Sequence, residues 1–314
     1  MGREGAGTKG AEAVLLMAYG TPGRLEDVEA YFTHIRGGRK PSPEAVENLR
    51  ARYERIGGAT PLLALTEAVR TALQTELAAE GATLPVYMGM KHWHPYVAET
   101  VQRMHDDGIR KVTALVLAPH YSRMSVGGYR KSLDEKLAEL GHPMEVRFVE
   151  HWYERPAFVS FMAGVVRQGL AQFPEPDRDR VTVVFTAHSL PERIRTWNDP
   201  YEAQLQESSE LVAKAAGLRG FRRAWQSAGG TGEPWIGPDI LDFLDTLKAE
   251  GVRHVLQVPI GFVSDHLEVL YDIDIEAKEK ARELGMRLER TQLPNADPGF
   301  IRVLAGIVGE SVSR

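Results

Sequence analysis

Two distant segments of the chain share one pattern, and this pattern constrains the fold more than any other feature of the sequence. Residues 14–22 have the sequence Val-Leu-Leu-Met-Ala-Tyr-Gly-Thr-Pro, and residues 183–191 have the sequence Val-Val-Phe-Thr-Ala-His-Ser-Leu-Pro. Each is an apolar run that ends at a reactive side chain, Tyr19 or His188, before a proline. Such runs predict buried parallel strands, and ligands of parallel sheets bind at the carboxyl ends of the strands. We therefore predict two similar α/β halves, each presenting one reactive group.

The rest of the chain alternates predicted strands with amphipathic helices, which is typical of parallel sheets covered by helices. We predict strands at 13–19, 86–90, 112–118, 145–149, 181–187, 223–227, 254–260 and 286–290. We predict helices at 26–36, 44–55, 62–80, 96–107 and 130–140, and a terminal helix at 297–312. A polar, proline-containing link at 173–180 lies near the boundary between the halves. The expected domains are residues 12–155 and 156–314.

The composition excludes several classes of function. The chain has 314 residues, a net charge of -5 and no cysteine. The lack of cysteine excludes disulfides, cysteine-ligated zinc and an iron–sulfur cluster, and the acidic balance argues against a nucleic-acid partner. No apolar run is long enough to span a membrane, so we expect a cytoplasmic protein. Residues 5–10, Gly-Ala-Gly-Thr-Lys-Gly, precede a strand, so we interpret them as a tail and not as a dinucleotide-binding loop.

Three carboxylates recur every four residues after the strand predicted at 254–260. On a helix, Glu268, Asp272 and Glu276 would line one face about 6 Å apart. We call this stripe the acidic ridge. The spacing alone favours a solvated acidic face. The position of the ridge after a strand end instead favours a site for a hard divalent cation or a route for protons.

His188 also lies at a predicted strand end, where two interpretations stay open. A single histidine is more often a structural hydrogen-bonding group than a catalyst. Imidazole is nonetheless the side chain that exchanges protons near neutral pH and binds borderline metals such as ferrous iron.

Three other features remain as weaker candidates. The basic, glycine-containing loop at 35–41 could grip carboxylates or phosphates, or be a solvated turn. Trp225 and Trp235 flank a loop at a strand end and could be core residues or walls for a flat ligand. His92 and His94 could form a weak metal site, but their spacing favours a chance pair at the surface.

These motifs resemble those of the ferrochelatases, most closely the coproporphyrin ferrochelatases of Gram-positive-type bacteria. The resemblance covers nearly the whole chain and rests on residues 16–22, 53–58, 186–191, 225–227, 234–238 and 264–272. It implies an α/β fold of two Rossmann-like domains, each with a parallel four-stranded sheet flanked by helices, and a porphyrin in the cleft between them. It also implies insertion of Fe²⁺ into coproporphyrin III in haem synthesis. Fe²⁺ would be a substrate, and no organic cofactor would be needed.

The resemblance assigns roles by position. His188 and Glu268 would bind the iron and accept the two pyrrole protons. Asp272 and Glu276 would form an outer proton route or hold a second divalent cation, and Tyr19 would face the metal from the opposite side. The porphyrin and its propionates would be held by side chains of the first half: Tyr19, Arg36, Arg52, Tyr53, Thr60 and Tyr129.

The sequence also departs from the family pattern. Gly37 stands where relatives often have a second arginine, and Tyr19 in place of methionine favours the coproporphyrin branch. The lack of an apolar lip implies a monomer without stable membrane insertion. The alternatives are a chelatase for protoporphyrin IX or another metal, and a tetrapyrrole carrier, which would need aromatic walls and arginines but no His–Glu pair.

Overall fold

The computed structural model describes residues 11–230 and 232–312, so the tail at residues 5–10 lies outside the described chain. The first half contains β1 (Ala11–Ala18), α1 (Val28–Ile35), α2 (Pro43–Arg55), α3 (Leu62–Ala79), β2 (Val86–Met90), α4 (Val97–Asp106), β3 (Ile109–Val116), α5 (Val126–Glu139) and β4 (Glu145–Val149). The second half contains α6 (Pro156–Leu170), β5 (Thr182–His188), α7 (Tyr201–Ala216), β6 (Arg222–Gln226), α8 (Ile240–Ala249), β7 (His254–Val258), α9 (Leu267–Leu270), a π-helix (Asp272–Ala277), α10 (Lys278–Glu283), β8 (Arg287–Arg290) and α11 (Pro298–Val312).

The two halves have the same sheet topology. The first sheet has the strand order β2-β1-β3-β4 and the second has the order β6-β5-β7-β8. All neighbouring strands run parallel. In each sheet the chain order reverses beside the first strand, and crevices at such reversal points are where open α/β sheets bind ligands. Because Tyr19 follows β1 and His188 ends β5, both reactive groups lie at such a point, and the predicted pseudo-repeat is confirmed.

The core explains why these strands are apolar along their whole length. Alternate side chains of β1 enter two different clusters: Leu15 and Met17 face a cluster confined to the first half, whereas Val14 and Leu16 face a larger one. The larger cluster also contains Phe185 from β5 and residues of α11. Helix α11 packs against α3 and α6. The two halves therefore share one core, and the division at residues 155 and 156 stays a prediction.

Two elements differ from their predicted limits for identifiable reasons. Helix α5 begins at Val126 and not at 130, because Gly127 and Gly128 weaken the helical pattern in the sequence but lie inside the helix. Gly128 lies so close to the Lys91 side chain that a Cβ atom would clash with its amine. Strand β7 ends at Val258, where the following proline cannot donate a ladder hydrogen bond.

Along the described chain, no helix combines the length and the apolar character that crossing a membrane requires.

Candidate active site

His188 is the last residue of β5, and backbone contacts fix its ring. The Tyr201 hydroxyl donates a hydrogen bond to the carbonyl of His188 at 3.0 Å. The ring atom Nδ1 donates to the carbonyl of Ser189. Because Nδ1 is committed to this carbonyl, the other nitrogen, Nε2, is the one that can serve the site.

Glu268 reaches His188 from α9, the short helix that follows the loop after β7. Oε1 of Glu268 lies 3.2 Å from Nε2 of His188. The two side chains are 30% and 29% exposed, so the pair is partly accessible to solvent. After β7 the chain passes close to the end of β5 at Gly261, where a Cβ atom would stand 2.7 Å from Cβ of Ala187. The structure thus brings together two groups that resemblance had assigned to one ion.

The pair holds opposite charges. Burial disfavours the imidazolium of His188, but the negative charge and hydrogen bond of Glu268 outweigh it and raise the pKa of His188 to about 9. Burial likewise disfavours the Glu268 carboxylate, but the charge and hydrogen bond of His188 keep its pKa well below the usual value. At neutral pH the pair is therefore an imidazolium and a carboxylate.

The acidic ridge already contains a cation, and this cation is an arginine of the first half. Nη2 of Arg52 lies 3.6 Å from Oδ1 of Asp272 and 3.5 Å from Oε2 of Glu276. Its guanidinium stands 4.6 Å from the ring centre of Tyr271. The Ser227 hydroxyl donates to Asp272. Burial is the main reason that the pKa of Asp272 rises to about 6.

The helix that carries the ridge is not a continuous α-helix. From Asp272 to Ala277 it is a π-helix, in which the amide of Glu276 donates to the carbonyl of Tyr271 at 3.0 Å. The four-residue spacing predicted that Glu268, Asp272 and Glu276 line one face of a regular α-helix. The wider π-helical turn interrupts this arrangement. Within residues 11–230 and 232–312, no three histidine, aspartate or glutamate side chains are arranged to hold a metal ion.

Tyr19 faces the candidate site from the first half. It follows β1, its side chain is 40% exposed, and Gly20 after it has φ +94°. A Cβ atom on Gly20 would stand 2.8 Å from the amide nitrogen of Trp93, so the turn requires glycine. Burial and the negative charge of Glu268 raise the pKa of Tyr19, which places the phenol within electrostatic reach of Glu268.

A chain of hydroxyls lies beside Tyr19. Thr60 donates to Oγ1 of Thr21 at 3.0 Å, and that oxygen is 3.2 Å from the hydroxyl of Tyr53. Burial raises the pKa of Tyr53 to about 12 and also raises the pKa of Tyr129, and the negative charge of Glu268 adds to both shifts. Tyr53 and Thr60 therefore meet at Thr21, two residues after Tyr19.

The two arginines predicted to hold propionates lie in different surroundings. Arg36 follows α1 and is exposed, and no carboxylate within the described residues forms an ion pair with it. Arg52 is engaged by the acidic ridge, as described above. Arg36 is therefore the one that is available to an anionic ligand as the structure stands.

Sequence reasoning gave no role to several residues that touch the site. Nε2 of His266 lies 3.4 Å from Oε2 of Glu268, while Nδ1 of His266 lies 2.8 Å from the carbonyl oxygen of Ser264. Gln226 donates to the backbone carbonyl of Glu268 at 2.9 Å. The sequence gave one signal for the role of His266, namely that it stands two residues before Glu268 in the same motif.

The two tryptophans proposed as walls separate into different roles. The ring of Trp235 lies 6.2 Å from that of His188, at the edge of the candidate site. Trp225 is 5% exposed and packs against Tyr201, so it is a core residue.

His92 and His94 do not pair with each other. Nδ1 of His92 lies 3.2 Å from Nδ1 of His34, whereas Nδ1 of His94 lies 2.9 Å from Oε1 of Glu99.

Comparison with known proteins identifies the family. The profile described as Ferrochelatase matches residues 11–312. A ferrochelatase from Herpetosiphon aurantiacus is 52% identical over 297 residues, which cover 94% of this chain and 97% of the relative. The chain belongs to the ferrochelatase family. A coproporphyrin III ferrochelatase from Anoxybacillus flavithermus is 46% identical over 304 residues, which cover 96% of each protein.

The fold of this ferrochelatase family member is shared more widely. SirB from Bacillus subtilis, solved with Fe³⁺, aligns with a TM-score of 0.59 at 9% identity and covers 96% of this chain and 95% of its own. That likeness concerns the fold alone. The expected fold class, the enzyme class and the link to haem synthesis are confirmed, and the carrier alternative is set aside.

Proposed function

We propose that this chain inserts Fe²⁺ into coproporphyrin III in the cleft between Tyr19 and the His188–Glu268 pair. The observation that carries the proposal is the 3.2 Å contact between Nε2 of His188 and Oε1 of Glu268. Insertion breaks two pyrrole N–H bonds, releases two protons and forms bonds from the pyrrole nitrogens to one divalent ion. It therefore needs a metal ligand and a proton acceptor at the same place, which this pair supplies.

His188 is the proposed iron ligand. Its Nδ1–H is held by the carbonyl of Ser189, so Nε2 presents its lone pair once its proton has left. Glu268 stays ionised at neutral pH and accepts a pyrrole proton or shares the ion. His266 contacts the second oxygen of Glu268 and is placed to pass a proton onward.

The first half supports the role of porphyrin holder. Arg36 is exposed at the end of α1, has no carboxylate ion-pair partner within the described residues, and suits a propionate, since guanidinium binds carboxylates through two hydrogen bonds. Tyr53 and Thr60 offer hydroxyls, and Tyr129 offers a fixed aromatic ring. In this account, Arg52 leaves the acidic ridge when it binds a second propionate.

The acidic ridge is the proposed outer route for protons. Because the pKa of Asp272 is about 6, its carboxyl can take up and release a proton near neutral pH. A second divalent cation at Asp272 and Glu276 would have to displace Arg52.

The porphyrin is assigned from relatives. The Anoxybacillus flavithermus relative is named a coproporphyrin III ferrochelatase, and the Herpetosiphon aurantiacus relative carries the broader name ferrochelatase. Residues 12–155 would form the porphyrin-holding domain, and residues 156–314 would carry the metal site.

The test offers the purified chain Fe²⁺ with either coproporphyrin III or protoporphyrin IX, without oxygen, and follows the loss of porphyrin fluorescence. We expect kcat/KM to be at least about tenfold higher for coproporphyrin III. A preference for protoporphyrin IX would overturn the substrate assignment, and insertion into neither would overturn the proposed activity.

A further inference from the structure

Two imidazoles from different parts of the first half meet on the Tyr19 side of the cleft. His34 lies in the last turn of α1, and His92 lies in the loop after β2. Their Nδ1 atoms are 3.2 Å apart. Neither residue belongs to the His188–Glu268 site, which is on the second half.

The distance between the two nitrogens suits a shared metal ion. Imidazole nitrogens about 2.0–2.1 Å from one tetrahedral ion lie about 3.3–3.4 Å apart, and at a right angle they lie about 2.9 Å apart. The observed 3.2 Å falls between these values. Imidazole suits zinc, copper, iron and nickel ions, and either ring nitrogen can serve as the ligand.

Both rings are held in place by aromatic neighbours. The ring of His34 stacks on Tyr96 with centres 4.7 Å apart and planes 25° apart. The ring of His92 lies 4.6 Å from that of Tyr19, and its backbone amide donates to the carbonyl of Tyr19 at 2.8 Å. His34 is exposed, so water can complete the coordination of an ion. The pair is thus preorganised and open to solvent.

We propose that His34 and His92 form a second binding site for a divalent transition-metal ion, next to Tyr19 and outside the His188–Glu268 pair. With two protein ligands and water, the site binds such an ion weakly and reversibly. It rests on the proposed function in one respect only, that Fe²⁺ is the ion it receives during turnover. During turnover the His34–His92 site holds the Fe²⁺ substrate at the mouth of the cleft, on the face of the porphyrin that Tyr19 would contact.

The test uses Zn²⁺ as the probe and the full chain with His188→Ala, which removes the first site. Calorimetry should still detect one bound Zn²⁺. Adding His34→Ala should weaken this binding at least about tenfold, since one of two protein ligands is lost. The ¹⁵N imidazole signals of His34 and His92 should both shift on Zn²⁺ addition.

His151→Ala in the same background is the matched control, because His151 is a partly exposed histidine of the first half that is paired with Glu154 and contacts neither His34 nor His92. It should leave Zn²⁺ binding unchanged within about twofold. The site would be overturned if Zn²⁺ binding survives His34→Ala, if it falls equally with His151→Ala, or if it is absent from the His188→Ala chain. The contact would then be a plain imidazole–imidazole hydrogen bond. Loss of iron insertion in a wild-type chain that still binds Zn²⁺ at His34 would instead overturn the proposed function alone.

Discussion

Two backbone carbonyls determine how the histidines of the candidate site present themselves to Glu268. The carbonyls of Ser189 and Ser264 contact Nδ1 of His188 and of His266. Each ring therefore turns Nε2 toward one carboxylate oxygen of Glu268. A nitrogen facing a carboxylate must carry a proton to form a hydrogen bond. At His188, whose raised pKa keeps this proton in place at neutral pH, the proton lies where the reaction needs a bare nitrogen.

Metal affinity at this site should rise with pH. The pKa of His188 is raised to about 9, so below that pH a proton must leave Nε2 before a metal binds. Since one proton is exchanged, Co²⁺ affinity should rise about tenfold per pH unit between pH 7 and 8. The measurement is a Co²⁺ titration followed through the His188 resonance.

Glu268→Gln is the matched variant for the pH experiment. Without the carboxylate, burial returns the pKa of His188 toward or below its usual value, and the pH dependence above pH 7 should flatten. Affinity in the unaltered chain that is constant or falls with pH would contradict this assignment.

At the scale of elements, Arg290 ties together both ends of the segment that carries Glu268. Nη2 of Arg290 donates to Asp265 at 2.9 Å and to Asp274 at 2.8 Å. Asn295 also donates to Asp265, at 2.7 Å. Asp265 lies just before α9, and Asp274 lies in the π-helix. The clamp therefore fixes the loop and the π-helix on either side of Glu268 without touching the site.

Replacing Arg290 by methionine should loosen this segment. The substitution removes the cation that pairs with Asp265, leaves Asp274 with Lys278 alone, and should lower the free energy of unfolding by about 2–4 kcal/mol. Urea unfolding measures the loss. Arg222→Met is the control, because Arg222 pairs with Glu250 at the surface and should cost less than about 1 kcal/mol. An equal loss of unfolding free energy in the two variants would show that the ion pairs of Arg290 contribute no more than an ordinary surface ion pair.

At the scale of the whole molecule, the two halves pack around one shared core. Phe300 of α11 is fully buried and lies 6.0 Å from the ring of Trp152, in the cluster that also holds Phe185 of β5. Tyr19 and His188 thus extend from two strands, β1 and β5, that both contribute side chains to this cluster.

Phe300→Ala should destabilise both halves together. The cavity should cost about 3–5 kcal/mol. Hydrogen exchange measured by mass spectrometry should show peptides from β1 and β5 losing protection by the same amount. Loss of protection in the second half alone would show that the halves unfold independently.

The fold could be largely predicted from the sequence, because apolar runs stopped by proline mark buried strands and repeat in both halves. The motifs also identified His188 and Glu268, although the two residues are 80 positions apart and spacing could not show their contact. The ion pairs of Arg52 could not be predicted, since long side chains take their partners from tertiary structure. The His92–His34 contact was hidden for the same reason, and the π-helix broke the four-residue stripe that spacing implied.

The central claim is that His188 and Glu268 insert the metal. Anaerobic single-turnover absorbance with Fe²⁺ and coproporphyrin III tests it in His188→Ala. Insertion should slow by about a thousandfold or more, while porphyrin affinity changes less than about twofold. The control is His151→Ala, which removes a similar 3.1 Å contact with Glu154 elsewhere and should insert iron normally. Normal insertion by His188→Ala would contradict the account.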